Sequence, residues 1–150
     1  MSIKEKANTT IEINGQTFNF KNITVEDYPS RLYVPMAGVS QVIRQYIKQR
    51  WPDRKIQISS DTFAGGDSVT VYAPFVSREE SRKMQQELSG LFTYGRFNGM
   101  YDIYEMKEGY EEFTIEHRGK RGEVSTKYLN VENRAKWGTK LYKELEAQEA

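Results

Sequence analysis

The chain has 150 residues, no cysteine, and 22 basic against 21 acidic residues for a net charge of +1. That length supports one hydrophobic core, and the missing cysteines exclude disulfides, thiolate zinc sites and cysteine nucleophiles. The near balance of charge provides no global field toward nucleic acid or membrane, so an electrostatic partner has to be read from local clusters.

The polar stretch from Met1 to Thr10 lacks the apolar run of a signal peptide, and no apolar run approaches about 18 residues, so a cytoplasmic protein without membrane contact is expected. From Thr10 to Phe20 apolar and polar residues alternate on both sides of Asn14-Gly15, the dipeptide suited to a type I′ turn. This predicts an N-terminal hairpin over 9–24. After a connector from Tyr28 to Gly38, Val39, Val42, Ile43, Tyr46, Ile47 and Trp51 recur at helical spacing until Pro52 stops them, with Arg44 and Lys48 on the polar side. Ile56, Ile58, Val69 and Val71 alternate with polar neighbours around Gly65-Gly66, which predicts two antiparallel strands joined there. Ser77-Arg78-Glu79-Glu80 matches a capping box and opens a helix with Met84, Leu88 and Leu91 on one face, ending near Gly90.

Gly95-Arg96-Phe97-Asn98-Gly99 is read as a turn, followed by a strand from Met100 to Met106. Phe113 to Ile115 and Val124 to Leu129 flank Gly119-Lys120-Arg121-Gly122, which predicts a second hairpin. Asn130 or Asn133 could cap a last helix with Trp137, Leu141 and Leu145 as its apolar stripe, giving a C-terminal hairpin and helix over 111–146. The predicted fold is a single α+β domain, 1–150, with an antiparallel sheet built from hairpins and two or three helices packed on one face. Ile43, Ile47, Ile58, Val71, Met84 and Leu88 are its expected centre.

Arg44, Lys48, Arg50, Arg54 and Lys55 gather against one acid, Asp53, and could neutralise phosphates while Tyr46 or Trp51 offers stacking surface. The plainer reading is a solvated helix face whose aromatics belong to the core. Arg96 and Phe97, between glycines that permit close backbone approach, are anchors for recognition or simply a tight turn closing the core. Arg118, Lys120 and Arg121 could grip an acidic partner or keep a turn soluble. Catalytic residues are few. His117 is the only histidine, and Asp61, Asp67 and Asp102 could meet around a divalent cation only if their segments were neighbours.

The middle of the chain, about 39–106, resembles the large polyvalent-protein-associated domains found in giant multidomain proteins of phages and conjugative elements. The residues concerned are Val42-Ile43-Arg44 to Trp51-Pro52, Lys55 to Ser59, Gly65-Gly66-Asp67-Ser68-Val69 and Tyr94 to Tyr104. The resemblance implies a mobile-element or host-defence setting and brings no reaction or ligand. The expected function is therefore a non-enzymatic binding module of a mobile genetic element or its bacterial host. It would engage a protein or nucleic-acid partner through Arg44, Lys48, Arg54, Lys55, Arg96 and Phe97, with no metal and no small-molecule cofactor. The alternatives are a metal-dependent hydrolase acting on nucleic acid through the three aspartates, and a structural or oligomerisation domain.

Overall fold

A computed structural model describes the backbone of residues 2–93, 95–98, 103–106 and 113–149, with side chains over 2–93 and 113–148. The protein is α+β. Its first element is a long antiparallel hairpin of β1 (Ile3–Ile13) and β2 (Gln16–Asp27), reaching beyond 9–24 at both ends. Asn14 and Gly15 close it at φ 51° and 79°, the left-handed pair that a type I′ turn requires. A bulge between Ala7 and Asn8 interrupts the register, and Asn8 Oδ1 accepts from the amide of Asn22, itself at φ 60°. Alternation then sends Ile11, Ile13, Phe18, Phe20, Ile23 and Val25 to the buried side.

The short β3 (Leu32–Tyr33) extends this sheet at the end of β2. The rest of that edge is taken by α1 (Met36–Arg50). Gln41 donates to Lys21 O and accepts from Lys21 N at 3.0 and 2.9 Å, and Gln45 treats Asn19 in the same way at 2.6 and 2.9 Å. Residues four apart on a helix match residues two apart on a strand because one helical turn and two strand residues cover nearly the same length. Gly38 lets the helix come this near, since a Cβ there would lie 2.5 Å from Phe20 Cε2.

The second sheet has the order β10-β5-β4, from β4 (Gln57–Phe63), β5 (Gly66–Tyr72) and β10 (Tyr128–Glu132). β4 and β5 form the expected antiparallel hairpin around Gly65 and Gly66. β10 instead runs parallel to β5, from Tyr128 opposite Ser68 to Glu132 opposite Tyr72. The predicted strand from Val124 to Leu129 is thus displaced toward the C-terminus and pairs with a distant segment. α2 (Arg78–Phe92) covers β10: Gln85 Oε1 accepts from Val131 N at 2.9 Å. Ser77 caps α2 by accepting from Glu80 N, although the Glu80 carboxylate turns to Arg54. The helix runs through Gly90 to Phe92, because the fully buried Phe92 ring rewards two further residues of helix.

β6 (Gly95–Asn98) and β7 (Ile103–Met106) form an antiparallel pair, so Arg96 and Phe97 occupy a strand where a turn was expected. In the last hairpin, β8 (Thr114–His117) and β9 (Lys120–Glu123) are joined by Arg118-Gly119 at φ 53° and 76°. Lys120 and Arg121 therefore lie in a strand, displacing the predicted turn by two residues. Gly122 has a packing role: a Cβ there would lie 2.7 Å from Val34 Cγ2. Helix α3 (Lys140–Glu149) begins later than either asparagine suggested, with Thr139 Oγ1 accepting from Tyr142 N. Asn130 lies within β10, and Asn133 donates to Ala73 O and Val76 O instead of capping a helix.

Ile43, Ile47, Val71, Met84 and Leu88 are fully buried at the centre, while Ile58 is only partly buried against it. Among the described residues no helix is long and apolar enough to cross a membrane.

Candidate polyanion-binding groove

α1 buries Val42, Ile43, Tyr46 and Ile47, which leaves Arg44 and Lys48 exposed one turn apart on the opposite side. The helix ends where Trp51 N donates to Ile47 O, and a turn closed by Arg54 N on Trp51 O reverses the chain into β4. That reversal brings Arg54 and Lys55 back beside the helix. α3 arrives from the far end of the chain and adds Lys140, Leu141 and Glu144. The result is an open groove of about 440 Å³, with five cations on its walls against Glu144.

The five cations are not equivalent. Arg54 donates to both oxygens of Glu80, at 2.7 and 3.3 Å, and this carboxylate raises its pKa. Lys55 pairs with Glu144 at 3.1 Å and lies 6.0 Å from the centre of the Phe75 ring. Among the described residues, Arg44, Lys48 and Lys140 make no ion pair, so their charge is open to a ligand. Of the residues read from the sequence as binding a partner, Arg44, Lys48, Arg54 and Lys55 are thus brought to one place. Arg54 and Lys55 also serve as ties, one to α2 and the other to α3. Arg96 and Phe97 are in β6, and their side chains lie outside the described residues.

Arg50, counted with the basic cluster, faces away and pairs with Glu87 at 3.2 Å. The Tyr46 ring is buried edge-on to Phe92 and Trp51, so it presents no stacking face. Its hydroxyl donates to Glu87 at 2.6 Å, and burial, reinforced by that carboxylate, pushes its pKa up.

The basic hairpin tip is fastened to the N-terminal hairpin. Lys120 binds the buried Asp27 carboxylate and Tyr28 O, while His117 and Arg118 both meet Glu5 at 2.7 Å. Asp67 accepts from Thr126 Oγ1 and Lys127 N, holding the segment that leads into β10. Asp61 accepts from the amide of Thr62, and Asp102 lies outside the described residues. Among the described residues no three His, Asp or Glu side chains converge as metal ligands.

Sequence reasoning missed Lys140 here. Trp137 was assigned to an apolar helix face but precedes the helix and is 76% exposed. The signal was Gly138, whose φ of 76° ends one turn and lets the helix start only at Lys140. Comparison with protein-family models, with curated proteins and with solved structures gave no match.

Proposed function

We propose that the protein is a binding module that holds the phosphate backbone of a nucleic acid in the groove between α1, the start of β4 and α3. The observation that carries this reading is the convergence of Arg44, Lys48 and Lys140, three cations from two helices far apart in the chain that make no ion pair among the described residues, on one open groove. A row of phosphates laid against these cations would bind by releasing its counterions. Ile56 and Leu141 add apolar surface to the same groove. The resemblance of the middle of the chain to large polyvalent-protein-associated domains is what supports including a mobile genetic element or its bacterial host in the proposal.

The test is oligonucleotide binding by fluorescence anisotropy at several salt concentrations. The unaltered protein should bind with an affinity that falls linearly on a log-log plot against salt. A combined Arg44→Glu and Lys48→Glu change should abolish binding while leaving the urea midpoint nearly unmoved, because both side chains are exposed. Equal binding by the altered and unaltered proteins would overturn the reading.

A further inference from the structure

Residues of α2 and β10 line a second open cavity, of about 400 Å³, which shares no residue with the groove. Arg78 and Arg82 line it one helical turn apart, at the spacing that makes side chains neighbours on a helix. Neither makes an ion pair or a side-chain hydrogen bond among the described residues. The carboxylates next to them in the chain are engaged elsewhere, Glu79 with Lys83 at 3.5 Å and Glu80 with Arg54 at 2.7 Å, and no acid lines the cavity. Between the two arginines in sequence comes Ser81, which is 5% exposed and still part of the lining. Its hydroxyl has no hydrogen-bond partner among the described residues. Buried hydroxyls are as a rule hydrogen-bonded, and the cavity is where a ligand can reach this one.

Gln85 adds a donor to the same lining. A backbone amide can only donate, so the 2.9 Å bond from Val131 N fixes Oε1 against β10 and leaves Nε2 as the end available to a ligand. Asn133 is held in the lining because its Nδ2 donates to Ala73 O and Val76 O, at 2.9 and 2.7 Å. Two guanidinium forks and two further donors exceed the about four acceptor positions of a carboxylate. A phosphoryl group, with three strongly accepting oxygens, matches them better. The cavity falls in the range of small-molecule sites, roughly 300–1,000 Å³, and exceeds what a bare phosphate fills, so it has room for the group that the phosphate is attached to.

We propose that this cavity binds a small phosphomonoester, with Arg78 and Arg82 gripping the phosphoryl oxygens and Ser81 and Gln85 donating to them. The site is separate from the groove and does not depend on it.

The experiment follows the arginine side-chain NMR signals of the full chain during titration with inorganic phosphate, ribose 5-phosphate, ribose and acetate at fixed ionic strength. The signals of Arg78 and Arg82 should shift and saturate with inorganic phosphate, and at lower concentration with ribose 5-phosphate, but not with ribose or acetate. Saturation should be lost in Arg78→Gln/Arg82→Gln and kept in Arg44→Glu/Lys48→Glu. Ser81→Ala should weaken ribose 5-phosphate binding about 10-fold, as expected for one lost charge-assisted hydrogen bond. Its urea midpoint should not fall, because the hydroxyl removed had no partner in the free protein. A drift that never saturates, an equal response to acetate, or saturation that persists in Arg78→Gln/Arg82→Gln would overturn the proposal. Inorganic phosphate bound more tightly than ribose 5-phosphate would overturn the phosphomonoester as the ligand.

Discussion

The guanidinium of Arg54 spans both carboxylate oxygens of Glu80, at 2.7 and 3.3 Å, and so ties the reversal after α1 to the first turn of α2. This explains why half of the capping box is missing, because Glu80 cannot reach back to the amide of Ser77 while it holds Arg54. It also divides the groove's cations into those that hold the fold together and those open to a ligand. Arg54→Ala should therefore reduce oligonucleotide affinity much less than Arg44→Ala does. Anisotropy titrations of the two single variants at one salt concentration check this ordering, and a larger loss for Arg54→Ala would contradict it.

Lys140 reaches the groove from a segment about 90 residues beyond α1. Removing it should lower the salt slope as well as the affinity. Lys140→Ala is expected to reduce the slope of log K against log salt by about 0.7–0.9, the value for one phosphate contact. A slope equal to that of the unaltered protein would show that Lys140 does not touch the ligand.

The core ranks its isoleucines by burial. Ile47 and Leu88 are fully buried, so replacing either by Ala should cost about 2–5 kcal/mol through lost transfer energy and the cavity left behind. Ile58, only partly buried, should cost less in the same substitution. Urea midpoints of the three variants give the comparison directly.

Gly38→Ala tests the closeness of α1 and β2. Ala favours helix over Gly by about 1 kcal/mol, yet its Cβ would fall 2.5 and 2.8 Å from two atoms of the Phe20 ring. Phe20 is fully buried. Overpacking of this kind costs about 1–3 kcal/mol, so the net effect should be destabilising. Increased stability of Gly38→Ala on urea titration would show that the ring yields.

Tyr46 gives stability an alkaline limit. Burial raises its pKa above the ordinary value of 10.0, so the fold favours the neutral phenol. Its contribution is fully present below the unfolded pKa near 10 and is lost as pH rises toward the folded pKa, because the unfolded chain ionises first. The protein carries 10 tyrosines, so the comparison that isolates this one is with Tyr46→Phe. The unaltered protein should lose stability more steeply than the variant above pH 10, as read from urea midpoints across that range. Parallel curves would remove Tyr46 as the cause.

Local chemistry was the legible part of the fold. Asn14-Gly15, Ser77 and the stop at Pro52 each act within a few residues, and each sits where the sequence indicated. Pairings between distant segments left no local trace. Val131 opposite Val71 depends on a partner 60 residues away, and Gly122 looks like a turn residue until Val34 is seen packed against it. Periodicity also misled at Trp137, whose spacing to Leu141 fits a helix that the left-handed Gly138 prevents from starting there. The groove was half legible for the same reason. Arg44, Lys48, Arg54 and Lys55 are near neighbours in the chain, whereas Lys140 reaches them only through tertiary structure.

The parallel pairing of β5 with β10 imposes an order on synthesis. The β4–β5 hairpin can close as soon as it leaves the ribosome, but one side of β5 then waits until Tyr128–Glu132 has been translated. During that interval a strand bearing Val69 and Val71, both destined for the core, presents unpaired amides and carbonyls to any other nascent chain. Fragments that end before Tyr128 would make the interval permanent and should be recovered as aggregates.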